Sequence, residues 1–268
     1  MWRSSHLGTE LASTPVTEAT TVRPAVLVIA GTDSSGGAGL TRDVRVLTDF
    51  DIDVLCVITA VTAQSNSQVT AIHHVPPEVI RAQIVAAFET RPVGAIKIGM
   101  LGTRTTVEAV VESLPPGTAV PIVLDPVLMA SSGSVLLDAE GRAAMRERLF
   151  PLATIVMPNV PEAAMLLGED PATGELALIA QAQRLLALGP QAVLLKGGHT
   201  GGEEAVDLLI SGNNVVQKIA SARVRAIHRG TGCALASAIA AGLVSGTPLV
   251  EACQQAKRYV VDMLSHAE

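Results

Sequence analysis

Aromatic residues are nearly missing from this chain: one Trp, one Tyr and three Phe among 268 residues. A core of ordinary size must then be built from Ala, Val, Leu and Ile. That is the composition of a parallel sheet covered by helices on both faces. Charge is also sparse, at 16%, against 49% hydrophobic residues, a balance that argues against disorder and for one large core. Net charge is -6, and the basic residues are scattered apart from Arg223, Arg225 and Arg229. No face is basic enough to grip a nucleic-acid backbone, so nucleic acid is not an expected partner. There are three cysteines, Cys56, Cys233 and Cys253, an odd number without metal-ligand spacing. They argue against a disulfide framework or a zinc site and suit a reducing cytoplasm. Cys56 lies in an apolar run and is expected in the core; Cys253 is expected to pack on a late helix. No apolar run reaches the roughly 18 residues that span a bilayer, so no membrane partner is expected. Residues 1–23 are rich in Ser and Thr and lack the apolar centre of a secretory signal. They read as a disordered extension before a single domain over 24–268.

What is present is an alternation. Short aliphatic runs over 25–30, 54–60, 95–98, 121–124, 154–157 and 192–195 read as buried strands, with a further short strand over 70–75. Between them, helical patterns cover the stretch after residue 39, then 77–90, 103–113, 139–149, 161–167 and 176–187. The helix at 161 opens on a proline suited to a first turn. Ser211-Gly212-Asn213 reads as the turn of a hairpin between strands over 205–210 and 214–219. Helices over 231–245 and 249–265 close the chain. The expected fold is a three-layer α/β sandwich, its sheet mostly parallel, with a late antiparallel edge hairpin. Ligands of such sheets gather at the carboxyl ends of the strands. Asp33, Gln64, Met100, Asp125, Asn159 and Lys196 all fall just after expected strand ends, which places them in one cleft.

The most informative stretch is Gly230-Thr231-Gly232-Cys233, followed by an Ala-rich helix. Glycines let backbone N–H groups approach a bound oxygen. A helix start leaves several N–H groups unpaired and partly positive, and together these make an anion cradle. Cys233 stands where a side chain would point at whatever reacts beside the anion. A helix N-terminus is also expected to lower a thiol pKa from its usual value of about 8.5.

Further motifs stand in order along the chain: Ala30-Gly31-Thr32-Asp33-Ser34-Ser35-Gly36-Gly37-Ala38-Gly39, Lys97-Ile98-Gly99-Met100, Leu124-Asp125-Pro126-Val127, Met157-Pro158-Asn159-Val160-Pro161-Glu162 and Lys196-Gly197-Gly198-His199. In this order and spacing the chain resembles the hydroxymethylpyrimidine/phosphomethylpyrimidine kinases of thiamin biosynthesis, within the ribokinase-like superfamily. The resemblance runs from about Pro24 to about Leu264.

It implies transfer of the ATP γ-phosphoryl group to 4-amino-5-hydroxymethyl-2-methylpyrimidine and then to its monophosphate. Cys233 would accept the hydroxyl proton, and the N–H groups of Gly230, Thr231 and Gly232 would hold the transferring group. Asp43 and Gln64 would read the aminopyrimidine, with Gly31, Asp33 and Met100 lining its pocket. Asn159, Lys196, His199 and Arg229 would lie on the nucleotide side. Asp125 and Glu162 would organise Mg²⁺, mostly through water. A cytoplasmic homodimer is implied as well.

Two departures stand out. Arg229 takes the place of a histidine usual before the glycine turn, with His228 one position earlier. Ser131 stands where the family often has lysine. Arg229 is expected to replace part of the lost charge. Two rival readings fit the same motifs: a pyridoxal-type kinase, and a non-catalytic pyrimidine-binding protein on the same fold.

Overall fold

The computed structural model describes residues 23–117, 119–130, 132–197, 203–212, 215–224 and 229–266. The expected N-terminal extension, apart from Arg23, lies outside the described residues, as do Ser131, His199, Arg225 and His228.

Among the described residues nine strands form one sheet: β1 (Ala25–Asp33), β2 (Val54–Gln64), β3 (Val69–His74), β4 (Val93–Ile98), β5 (Ile122–Leu124), β6 (Ile155–Val156), β7 (Ala192–Leu195), β8 (Glu204–Ser211) and β9 (Val215–Ala222). Their order is β3-β2-β1-β4-β5-β6-β7-β8-β9. The pairings from β2 through β7 are parallel, and the expected hairpin of β8 and β9 is antiparallel at one margin. The opposite margin is antiparallel too, since β3 folds back on β2. This second hairpin extends β2 beyond the expected run of 54–60 to Gln64 and leaves only a turn, closed by Ser65 N on Gln68 O at 2.9 Å. Cross-strand partners satisfy the backbone there, so polar side chains do not end the strand.

Among the described residues eight α-helices cover the sheet: α1 (Gly39–Asp49), α2 (Pro77–Thr90), α3 (Arg104–Ser113), α4 (Ala139–Ala144), α5 (Val160–Leu167), α6 (Glu175–Leu186), α7 (Thr231–Val244) and α8 (Leu249–Ser265). The helix expected to run to residue 149 changes pitch after α4. A π turn, Met145–Leu149, leads to a 3₁₀ turn, Phe150–Leu152. Pro151 has no N–H to continue the ladder. Cys56 is exposed, not in the core, because β2 lies toward the margin and is half-covered on that face.

Alternation divides the central strands between two cores. Leu27, Ile29, Ile96 and Ile98 face α2, α3, α5 and α6. Val26, Val28, Ala30 and Ala95 face α1, α7 and α8. Helix α7 is buried from Ala234 through Gly242 without a break, as expected for a helix apolar on every side. Its small side chains let neighbours close in; a Cβ at Gly242 would lie 2.9 Å from the Ala252 Cβ. The chain leaves β1 toward β2 and later resumes at β4 on its other side. That reversal opens a crevice at the carboxyl ends of β1 and β4.

One residue breaks the apolar pattern of β4. Lys97 points to the same side as Ala95, toward α1 and α7, and is fully buried. Its Nζ lies 2.7 Å from Asp43 Oδ2, and Ser237 Oγ donates to Asp43 Oδ1 at 2.8 Å. Lys97→Met should therefore strand a buried carboxylate and cost about 3–5 kcal/mol of stability. Lys97→Met/Asp43→Asn, which removes both charges, should recover most of that loss. Denaturant unfolding checks this; equal losses in the two variants would mean that the pair is not a buried ion pair.

Candidate active site

A cleft of about 740 Å³ opens over the crevice, within the size range of small-ligand sites. Gly31, Asp33, Gln64, Met100, Asp125, Asn159, Glu162, Lys196 and the run from Arg229 to Cys233 all line it. The six residues placed after expected strand ends thus come together. Asp43 does not join them. It is fully buried beneath the cleft floor, with both carboxylate oxygens taken by Lys97 and Ser237. The expectation that Asp43 reads an aminopyrimidine is corrected on that ground.

Gly230 caps α7 in the left-handed region, at φ 76°. A Cβ there would fall on the carbonyl oxygen of Gly37, so only glycine lets the helix start lie against the β1–α1 loop. Gly39, at φ 58°, meets the Gly31 carbonyl in the same way. Gly230, the N-cap, has no side chain to cap the first turn of α7. Its N–H groups are left to an anion in the cleft, with the helix dipole behind them. A Cβ at Gly232 would lie 3.3 Å from Asp125 Oδ2 and 3.4 Å from Lys196 Nζ, so the turn faces those charges directly.

Lys196 Nζ stands 2.8 Å from Asp125 Oδ1 and 3.7 Å from Glu162 Oε2. Burial opposes its charge, but Asp125 and Glu162 outweigh burial and hold its pKa above the ordinary lysine value. Asn159 and Glu162 form a capping box at the start of α5, each side chain bonded at 2.8 Å to the other's backbone N–H. Burial pushes the Glu162 carboxyl above its usual range, against the pull of Lys196. The turn after Lys196 is pinned from below, since Gly197 N donates to Asp207 Oδ1 at 3.0 Å and Lys257 Nζ to Asp207 Oδ2 at 2.7 Å. Among the described residues no group of three or more His, Cys, Asp or Glu could hold a metal ion. Two carboxylates beside an open phosphate site still fit magnesium, which takes few protein ligands and keeps water and phosphate oxygens.

Cys233 lies in the first turn of α7. Burial pushes its thiol up to about 11, with Asp43 and Asp125 adding to the rise and Lys97 and the Gly39 N–H opposing it. The expected lowering by the helix start is thus overturned by desolvation. Sequence reasoning gave no role to Lys97, Ser237, Asp207 or Lys257. The available signal was a charge inside an apolar strand, as at Lys97 and Asp207, because a buried charge requires a partner.

At the other end, a Cβ on Gly31 would lie 2.9 Å from Met100 Sδ, so the pair forms a flat wall without a projecting side chain. The Gln64 backbone is fixed on both sides by Ser34 Oγ, which accepts from Gln64 N at 2.8 Å and donates to Gln64 O at 2.9 Å. Its side chain lines the cleft. Arg229, expected as a free charge for phosphate, is engaged elsewhere. It donates to Asp33 Oδ2 at 3.0 Å, to Ser35 Oγ and Ser65 O at 2.9 Å each, and to Asn66 Oδ1 at 3.4 Å. It straps the β1–α1 loop to the β2–β3 turn.

Comparison with known proteins points to one family. A sequence profile for phosphomethylpyrimidine kinase matches residues 33–268. The chain is 42% identical over 242 residues to a hydroxymethylpyrimidine/phosphomethylpyrimidine kinase of Rhizobium meliloti (strain 1021), covering 90% of this chain and 91% of that one. Among solved structures, the phosphomethylpyrimidine kinase of Clostridium difficile 630 superposes with a TM-score of 0.78 at 35% identity, over 90% of this chain and 99% of that one. The pyridoxal kinase of Staphylococcus aureus, in complex with AMP-PCP and pyridoxal, gives a TM-score of 0.83 at 28% identity, over 91% and 89%.

Arg229→Ala should loosen the strap. Hydrogen bonds to charged groups contribute about 1.5–3 kcal/mol, so amide exchange at Ser35 and Gln64 should accelerate roughly tenfold or more. Hydrogen-exchange mass spectrometry reads this directly, and unchanged exchange in both segments would contradict the strap.

Proposed function

The chain belongs to the phosphomethylpyrimidine kinase family, and from that premise we propose how its cleft transfers the ATP γ-phosphoryl group to 4-amino-5-hydroxymethyl-2-methylpyrimidine and then to the resulting monophosphate. The fold is ribokinase-like, and the enzyme is a phosphotransferase. One observation carries the mechanism: the start of α7, with no side chain on its N-cap Gly230, lines one cleft together with Gly31, Gln64 and Met100 and with the charged Lys196, Asp125 and Glu162.

The N–H groups of Gly230, Thr231, Gly232 and Cys233 hold the equatorial oxygens of the transferring group, already oriented before the reaction. Lys196 offers a point charge to the phosphates, and Asn159 borders the same side. Asp125 and Glu162 would hold Mg²⁺, partly through water. When bound, the ion neutralises charge on the β- and γ-phosphate oxygens. Val224, Val260 and Leu264 line the same cleft and offer apolar contact to the base of the nucleotide.

The hydroxymethyl oxygen forms the new P–O bond as the bond from the γ-phosphorus to the β-γ bridging oxygen breaks, and ADP leaves with that oxygen. The hydroxyl proton passes to the Cys233 sulfur. Because the transition state is loose, the proton departs late and positioning dominates. With the thiol pKa at about 11, the reactive thiolate is scarce at neutral pH and grows about tenfold with each pH unit below that value. Gln64 supplies an amide whose donor and acceptor match an amino group beside a ring nitrogen. One observation favours a pyridoxal activity beside the main one: Asp43 is withdrawn from the pocket, so Gln64 reads the ring without a second polar side chain from α1. The family resemblance also supports a cytoplasmic homodimer. No helix among the described residues is long and apolar enough to cross a membrane.

Cys233→Ala should lower kcat about a hundredfold or more and leave KM for the pyrimidine nearly unchanged. Wild-type kcat should rise from pH 7 to 9 and the variant's should not. An unchanged rate with the same pH profile would reduce Cys233 to a packing residue. The substrate assignment is tested by kcat/KM for the pyrimidine alcohol and for pyridoxal. A preference of about one to two decades for the pyrimidine is expected, from the cost of leaving the Gln64 amide unpaired, and Gln64→Ala should shrink it. Preference for pyridoxal would overturn the assignment.

A further inference from the structure

Among the described residues Lys97 is one of the largest fully buried side chains, and the phosphoryl transfer described above gives it no part. Its surroundings tie it to the reacting end of α7. Ser237 lies one helical turn beyond Cys233, on the same face, and its hydroxyl holds Asp43 Oδ1 at 2.8 Å. Asp43 in turn holds Lys97 Nζ at 2.7 Å through its other oxygen. The ammonium also abuts the backbone after β4, where a Cβ on Gly99 would come within 2.9 Å of Nζ. A side chain at position 99 would therefore crowd the ammonium, and glycine leaves it its place. Lys97 borders the same cleft as Cys233. Four elements thus converge beneath the thiol: β4 with Lys97, α1 with Asp43 and the Gly39 N–H, the end of β5 with Asp125, and the end of β7 with Lys196.

We propose that Lys97, clamped by Asp43 and Ser237, is a positioning residue whose ammonium stabilises the negative sulfur that Cys233 needs in order to take the hydroxyl proton. The proposal rests on the reading of Cys233 as the proton acceptor. The charge is buried, so it acts on the sulfur without screening by solvent. Asp43 supplies the counter-charge that keeps a buried lysine protonated: burial works against the Lys97 charge, while Asp43, Cys233 and Asp125 favour it and hold its pKa above the ordinary value. No proton moves to or from Lys97 in the step. The proton goes from the substrate hydroxyl to sulfur, and the ammonium stays charged throughout.

The test uses the full chain in a Cys56→Ser background, so that alkylation by iodoacetamide reports on Cys233; Cys253 is buried. Lys97→Met alone leaves Asp43 unpaired and is apt to unfold, so the informative variant is Lys97→Met/Asp43→Asn, with folding checked by circular dichroism. Thiolate fraction is read in the free protein in two ways: alkylation rate at a fixed pH of about 8, and ultraviolet thiolate absorbance against pH, which does not depend on reagent access. The double variant loses both the Lys97 charge, which lowers the thiol midpoint, and the weaker opposing effect of Asp43, so the midpoint should rise by about half a unit and the alkylation rate should fall about threefold. The alkaline rise of kcat should move up with it. A thiol midpoint that stays in place in the folded double variant overturns the proposal, whatever happens to kcat. A midpoint that moves while kcat and its pH profile stay fixed leaves the Lys97–sulfur coupling intact and overturns the reading of Cys233 as the proton acceptor. The two failures are therefore distinct.

Discussion

Everything in the cleft depends on how closely α7 is seated against the carboxyl ends of β1 and β4. The helix can lie there because half of its residues are Ala or Gly and its entry residue, Gly230, has no side chain to strike the Gly37 carbonyl. That seating aims unpaired N–H groups into the cleft and sets Cys233 at its floor. It also brings Ser237 down onto Asp43. A bulkier helix could still bury apolar surface, but it would withdraw the anion site from the strands that supply the other charges. The near-absence of aromatic residues follows from the same constraint, since close layers built from small side chains leave little space for rings.

The second theme is charge kept in pairs. Three lysine–aspartate contacts lie along the cleft and beneath it: Lys97 with Asp43, Lys196 with Asp125, and Lys257 with Asp207, each at 2.7 or 2.8 Å. A site for a polyanionic nucleotide needs positive charge, yet a buried ammonium without a partner loses its proton. Pairing with an aspartate keeps Lys97 and Lys196 charged and holds all three lysines in place before the ligand arrives. Charges held in this way need no reorganisation as the transition state forms. Lys196 faces the phosphate site, Lys257 steadies the turn behind it through Asp207, and Lys97 stands under the thiol.

Much of this was legible in the sequence, and the parts that were not share a cause. Strand β7 and helices α2 and α8 fall where the aliphatic runs and proline starts put them, because local pattern and tertiary burial agree there. The six residues after strand ends were recognisable because a parallel sheet sends its loops to one side. The second antiparallel hairpin was hidden, since β2 continues through polar residues satisfied by β3, a partner that composition does not reveal. Asp43 and Arg229 carried charges that sequence position assigned to ligands, whereas the fold spends them on Lys97 and on Asp33. Cys233 was placed correctly at the helix start, but its thiol responds more to burial than to the helix dipole, and burial is a property of the assembled layers.

The central claim is that the start of α7 holds the group in flight, with Cys233 beside the attacking hydroxyl. A crystal structure of the protein with ADP, aluminium fluoride and the pyrimidine alcohol tests it most directly. The account places the fluoride ligands on the N–H groups of Gly230 through Cys233, Lys196 against the phosphates, and the Cys233 sulfur within hydrogen-bond distance of the hydroxymethyl oxygen. A fluoride group held away from that turn, or a hydroxyl bonded to another side chain with the sulfur out of reach, would contradict it.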